Sequence, residues 1–232
     1  YWTTILTGEV AGFNIQGEKI IAANLGPGVN PITFSDDGRL FVAQCFFGDG
    51  LYEVDPLGIK EPRSIKEDLG PNCGLNGMDW GPDGRLYGPR GFNNEVVSID
   101  VDTGEMNVVV KGLNVPAAVK FNSKGVLHVL DTADGKVLKI IDGQLEVVAS
   151  LLTGLDNFDF NSKDEIFVSS YADGSILKVT DNGIVEILPG GISHPGGVAV
   201  SQNSLVVADI QSVRAFNLST KEEDWVIRNI FR

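Results

Sequence analysis

One phrase returns five times along this chain, and it constrains the fold more than any other feature. Its anchors are an aromatic or aliphatic residue just ahead of a tight turn: Phe34, Trp80, Phe121, Phe160 and Val200, spaced 46, 41, 39 and 40 residues apart. Each anchor ends a short apolar run, and each turn (SDDGR, GPDGR, NSKGV, NSKDE, SQNS) opens a second run. Asp-Gly between two strand-length runs is a hairpin signal. A third strand follows in every copy (GLYEVD, EVVSID, GKVLKIID, GSILKVTD, SVRAFN), and a fourth in most (MNVVVKGL, LEVVASLL, IVEILPGG, DWVIRNIF). Four short strands recurring at this period read as the blade of a β-propeller, because one such sheet cannot bury both faces alone. Blades are expected near 31–70, 76–112, 116–152, 155–190 and 195–230.

The first residues join the template only part-way through. GEVAGFNIQGEKIIAANL (8–25) aligns with the third and fourth strands GKVLKIIDGQLEVVASLL (135–152), and 1–7 with the end of a second strand and its loop. The expectation is an all-β, six-bladed propeller forming a single domain over 1–232, with the inner strands of the first blade outside this sequence. The alternative is a ring completed in another way, for example by another chain. Tyr1 is not an initiator Met, so a processed or truncated chain is expected.

Composition sets the limits. No stretch keeps a helical period, and the 28 glycines and 10 prolines fall mostly in the predicted turns. No apolar run reaches 18 residues, so no membrane span is expected. The formal charge of -13 argues against a nucleic-acid surface and is compatible with either a cation site or an acidic surface facing solvent. Asn217-Leu218-Ser219 fits the glycosylation triplet, which also arises by chance. Cys45 and Cys73 are expected on the same rim, with a disulfide and two free thiols both open. A secreted or periplasmic location is favoured over a cytoplasmic one.

Blade geometry says where chemistry belongs. Residues four before each anchor (Asn30, Asn76, Ala117, Asp156, Gly196) start the innermost strands at one mouth of the channel. Residues closing the second strands (Gln44, Arg90, Asp131, Ser170, Asp209) ring the same mouth. Amide and carboxylate oxygens from separate blades suit a hard cation, and equally suit the capping of strands and loops. The acidic chain favours calcium as that cation, held by Asn30, Asn76 and Asp156.

GLNGMDWGPDGRLY, with LDT at 130–132 and GLDNFDF at 154–160, resembles the senescence marker protein/gluconolactonase/luciferin-regenerating enzyme family of six-bladed propellers. The wider group of propellers with NHL-type repeats is similar as well. The resemblance implies a divalent metal, usually calcium, held by a Glu, an Asn and an Asp from separate blades. By position, Asp156 matches the metal-binding Asp commonly assigned as the base, and Asn76 the substrate-side Asn. Ala117 stands where the ligand Asn is expected, the Glu would precede Tyr1, and Asn30 stands in the same ring. The implied activity is metal-dependent hydrolysis of a lactone or related small ester, with Asp156 taking a proton from metal-bound water.

Further positions carry two readings each. Arg90 could steady an oxyanion or a substrate carboxylate, or form a salt bridge with Asp49 or Asp131. His194 is an acid–base candidate or a solvated loop residue, whereas His128 lies inside a second strand. Phe46 and Phe47, with Phe92 and Tyr171 at corresponding loop positions, line the mouth; the other reading packs Phe46 and Phe47 between blades. Signatures of other chemistries (HExxH, paired CxxC, GxSxG, a phosphate loop before a helix) are absent, and 100–105 reads as a hairpin turn. The competing functions are a non-catalytic propeller recognising a peptide, glycan or protein, and a propeller lyase.

Overall fold

The computed structural model describes residues 1–70, 73–180 and 182–228. It is a six-bladed β-propeller of six small antiparallel sheets. The first sheet has three strands, β1 (Trp2–Thr3), β2 (Glu9–Phe13) and β3 (Lys19–Asn24). The second comprises β4 (Val29–Phe34), β5 (Leu40–Gln44), β6 (Leu51–Val54) and β7 (Arg63–Lys66). The third comprises β8 (Asp79–Trp80), β9 (Leu86–Arg90), β10 (Glu95–Ile99) and β11 (Met106–Lys111). The fourth holds β12 (Pro116–Phe121), β13 (Leu127–Asp131), β14 (Lys136–Ile141) and β15 (Gln144–Ser150). The fifth holds β16 (Leu155–Phe160), β17 (Ile166–Ser170), β18 (Ile176–Thr180) and β19 (Gly183–Leu188). The sixth holds β20 (Val198–Ser201), β21 (Ser204–Ala208), β22 (Ser212–Asn217) and β23 (Glu223–Arg228). Tyr1–Leu113 forms one compact unit, and the described residues from Asn114 to Arg228 form a second.

The repeat read from sequence is the repeat of the fold. Every anchor pairs with an early residue of its second strand: Phe34 with Leu40, Trp80 with Leu86, Phe121 with Leu127, Phe160 with Ile166, Val200 with Leu205. Four of the five intervening turns close on the same bond, from the N–H of Gly38, Gly84, Gly125 or Asp164 to the carbonyl three residues back, at 2.9–3.0 Å. The closing residue is left-handed each time, with φ of 86°, 77°, 72° and 59°. Asp tolerates that region better than most side chains, which is why the NSKDE copy keeps the turn without a glycine. A β-bulge recurs between the last two strands of all six sheets and adds local twist. Among the described residues the single helical element is a 3-10 turn at Gly91–Asn93.

The core lies between neighbouring sheets rather than within them. In the first unit, Phe41, Leu51, Leu75, Met78, Leu86 and Ile99 pack the second sheet against the third. Val10, Ala22, Val29, Leu40 and Val42 pack the first against the second. In the second unit Leu130, Val137, Leu155 and Phe158 join the fourth sheet to the fifth, and Ile176, Leu188, Leu205 and Phe216 join the fifth to the sixth. Each fully buried side chain of this size contributes roughly 1.5–3 kcal/mol, so a blade is stabilised chiefly by its neighbours.

Candidate functional site

Bulges mark the starts of three inner strands. The register slips between Val29 and Ile32, between Pro116 and Ala118, and between Leu155 and Phe158. Asn30, Ala117 and Asp156 stand in those slips, where a bulge re-aims a side chain out of the ladder. Their placement follows from the repeat; their partners do not.

In the first unit Asn30 and Asn76 meet. Gly77 donates its backbone N–H to Asn76 Oδ1 at 3.0 Å, which fixes that atom as the oxygen. Asn30 Nδ2 donates to the same oxygen at 2.8 Å. Asn76 Oδ1 therefore accepts two hydrogen bonds, one for each of its lone pairs. Among the described residues no three His, Cys, Asp or Glu side chains gather as a metal-holding group.

Arg90 is committed to a partner that sequence reasoning missed. Its Nη1 donates to Glu95 Oε1 at 2.8 Å, with both side chains largely buried. The acid is neither Asp49 nor Asp131, because Arg90 and Glu95 lie directly opposite each other in the β9–β10 ladder. The signal was available: a rim Arg and a Glu flanking one short loop form a cross-strand pair. Gly70, at φ 130°, lies so close to Arg90 Nη2 that a Cβ there would collide with it.

Gln44 and Asp131 close second strands and tie incoming loops. Gln44 Nε2 donates to the carbonyls of Leu25 and Pro27 at 3.3 and 3.2 Å. In the second unit Asp131 Oδ1 accepts the N–H of Asn114 at 2.8 Å. Asp131 is 3% exposed, and burial pushes its carboxyl above the ordinary range. Asp156 is half-buried, and its Oδ2 lies 3.0 Å from where a Gly196 Cβ would stand, so these two ring positions are neighbours. Ser169 Oγ donates to the Gly196 carbonyl at 2.7 Å and accepts Asn157 N–H at 3.0 Å, locking the same corner. His194 packs on Tyr171, with ring centroids 4.8 Å apart. His128 is buried against Phe160, and desolvation holds its pKa below the usual imidazole value.

The cysteines settle the other open question. Cys45 and Cys73 form an isolated antiparallel bridge and are joined by a disulfide. The bond clamps the loop that carries Phe46 and Phe47. Those rings are 55% and 64% exposed, so they do not pack between blades. Phe46 holds φ at 70°, a left-handed conformation that is unusual for a bulky side chain. Phe92, on the equivalent loop of the next blade, is 56% exposed.

Comparison with known proteins bears on the fold. A chain in a nidogen/laminin complex superposes with a TM-score of 0.82 at 15% identity, over 97% of this chain and 91% of that one. Virginiamycin B lyase from Staphylococcus aureus gives 0.70 at 16% identity, over 97% and 79%. A protein of unknown function from Bacteroides caccae gives 0.71 at 15% identity, over 95% and 90%. No family model matches the sequence, and no curated protein matches it. At such identities the likeness is one of fold. No helix among the described residues is long and apolar enough to cross a membrane.

Proposed function

We infer that this chain is a recognition propeller whose first-unit mouth loops bind an apolar segment of a polypeptide partner. The observation that carries the reading is the exposure of Phe46, Phe47 and Phe92 on equivalent loops of neighbouring blades. Rigid aromatic side chains lose little entropy on binding and supply most of the energy at interface centres. The Cys45–Cys73 bond supports the reading, since it pre-organises the loop that presents two of the three rings. It also suits an oxidising compartment. In the same unit Asn30 Nδ2 is bonded to Asn76 Oδ1 and Arg90 Nη1 to Glu95.

The test is a selection of twelve-residue peptides against the immobilised protein, repeated with Phe46→Ser/Phe47→Ser and with Phe92→Ser. The expected result is an aliphatic- or aromatic-rich consensus that binds the unsubstituted protein and weakens by about tenfold or more in the double variant. Circular dichroism is expected to be unchanged. Enrichment of no consensus, or equal binding by the variants, would overturn the reading.

A further inference from the structure

At the other ends of β4 and β8, in the same unit, a cleft of about 210 Å³ opens beside the β4–β5 turn and the β10–β11 turn. One wall is the half-buried indole of Trp80. That ring stacks on the fully buried Phe41 at 5.4 Å and 5°. Behind it the Arg39 guanidinium lies 5.2 Å from the Phe41 ring centroid. A rigid aromatic surface is therefore built into the cleft and supported from below.

The charge around that surface is one-sided. Asp36, Asp37, Asp100 and Asp102 line the cleft, and Arg39 is the one cation among the lining residues. Arg39 is already engaged: it donates to both oxygens of Glu53 at 2.9 and 3.0 Å, and to Asp102 Oδ1 at 3.0 Å. Asp36 is exposed and has no hydrogen-bond or ion-pair partner among the described residues.

A metal ion is a poor match for this arrangement. Asp100 Oδ1 is turned into its own hairpin, accepting the N–H groups of Asp102 and Thr103 at 3.0 and 2.9 Å. Asp37 takes the Ser35 hydroxyl, and no three carboxylates converge among the described residues. Acids spread around a concave aromatic wall suit an organic cation with an apolar stem. The stem lies along the ring while the charged head meets the carboxylates.

The geometry points to a second binding site: a cleft on Trp80 that takes a lysine or arginine side chain from a polypeptide. It uses no residue of the mouth, and it stands or falls independently of the recognition reading above.

The experiment follows the three indole N–H signals of the 15N-labelled protein during titration with N-acetyl-lysine amide, with Trp80→Phe identifying the signal of Trp80. The controls are the ε-acetylated, uncharged analogue, sodium chloride at equal ionic strength, and calcium chloride. A saturable shift of the Trp80 signal with the lysine amide alone is expected, about threefold weaker in Asp36→Asn. Should Trp80→Phe fail to fold, Asp36→Asn carries the test, because the side chain it alters is exposed and unpartnered. An equal response to the uncharged analogue or to sodium chloride overturns the proposal, and so does an undiminished response in Asp36→Asn. Saturation by calcium without saturation by the lysine amide overturns it in favour of a metal site.

Discussion

Cys45 and Cys73 face each other as an isolated antiparallel bridge with Cα atoms 3.9 Å apart. Their disulfide joins the end of one blade's second strand to the segment that enters the next blade. With a sequence separation of 28, the chain-entropy argument gives the bond about 3–4 kcal/mol through the unfolded state. Cys45→Ser/Cys73→Ser is expected to lose that much in urea unfolding, with the loop bearing Phe46 and Phe47 becoming the first to exchange amide hydrogens. A double variant as stable as the parent would show that the bond constrains nothing.

Asn76 tests whether the mouth is built for hydrogen bonding. Asn76→Ala leaves the Gly77 N–H and the Asn30 amide without their shared acceptor, at a cost of roughly 1–3 kcal/mol. Asn76→Asp keeps an acceptor in the same place and is expected to restore most of the loss. If alanine costs nothing in thermal unfolding, the Asn30–Asn76 pair does not organise this part of the fold.

Glu53 predicts how the first unit responds to acid. Hydrogen bonds from Arg39, then Arg63, outweigh desolvation and hold its pKa at about 2, against 4.5 for an ordinary Glu. A depressed acid contributes stability that is fully present above its unfolded pKa and is lost as pH falls through the folded value. The window is therefore from about pH 4.5 down to about 2. The magnitude is on the order of 2 kcal/mol after allowance for solvent screening of a partly exposed pair. Glu53→Gln is expected to be less stable by that amount at neutral pH, with the difference closing towards pH 2. A difference that does not change with pH would disprove the assignment.

Asp131 carries the opposite sign. Burial raises its carboxyl, so the folded state binds the proton more readily than the unfolded chain. Its contribution to stability is greatest below the ordinary Asp range and declines as pH rises through the raised value. Asp131→Asn still accepts the Asn114 N–H without a buried charge, so its stability relative to the parent should improve as pH increases. Asp131→Ala leaves that N–H unpaired, at about 1–3 kcal/mol. Parallel pH profiles for parent and Asp131→Asn would show that the carboxyl is not shifted.

Much of this protein was legible in the chain itself. Phe34, Trp80, Phe121, Phe160 and Val200 recur because every blade solves one local problem, a strand-turn-strand unit with its turn residue in the left-handed region. Local problems leave periodic traces. The same register put Asn30 level with Asn76, and the structure finds them hydrogen-bonded. The choice of partner was not legible. Whether Cys45 bonded Cys73, and whether Arg90 would take Asp49, Asp131 or Glu95, depended on which rim groups the ladder set within about 3 Å of each other. The Trp80 cleft was hidden for the same reason, since its carboxylates come from turns of two sheets far apart in sequence. Periodicity is a property of one blade, and pairing is a property of two, so the sequence determined the blades and only their packing decided what meets between them.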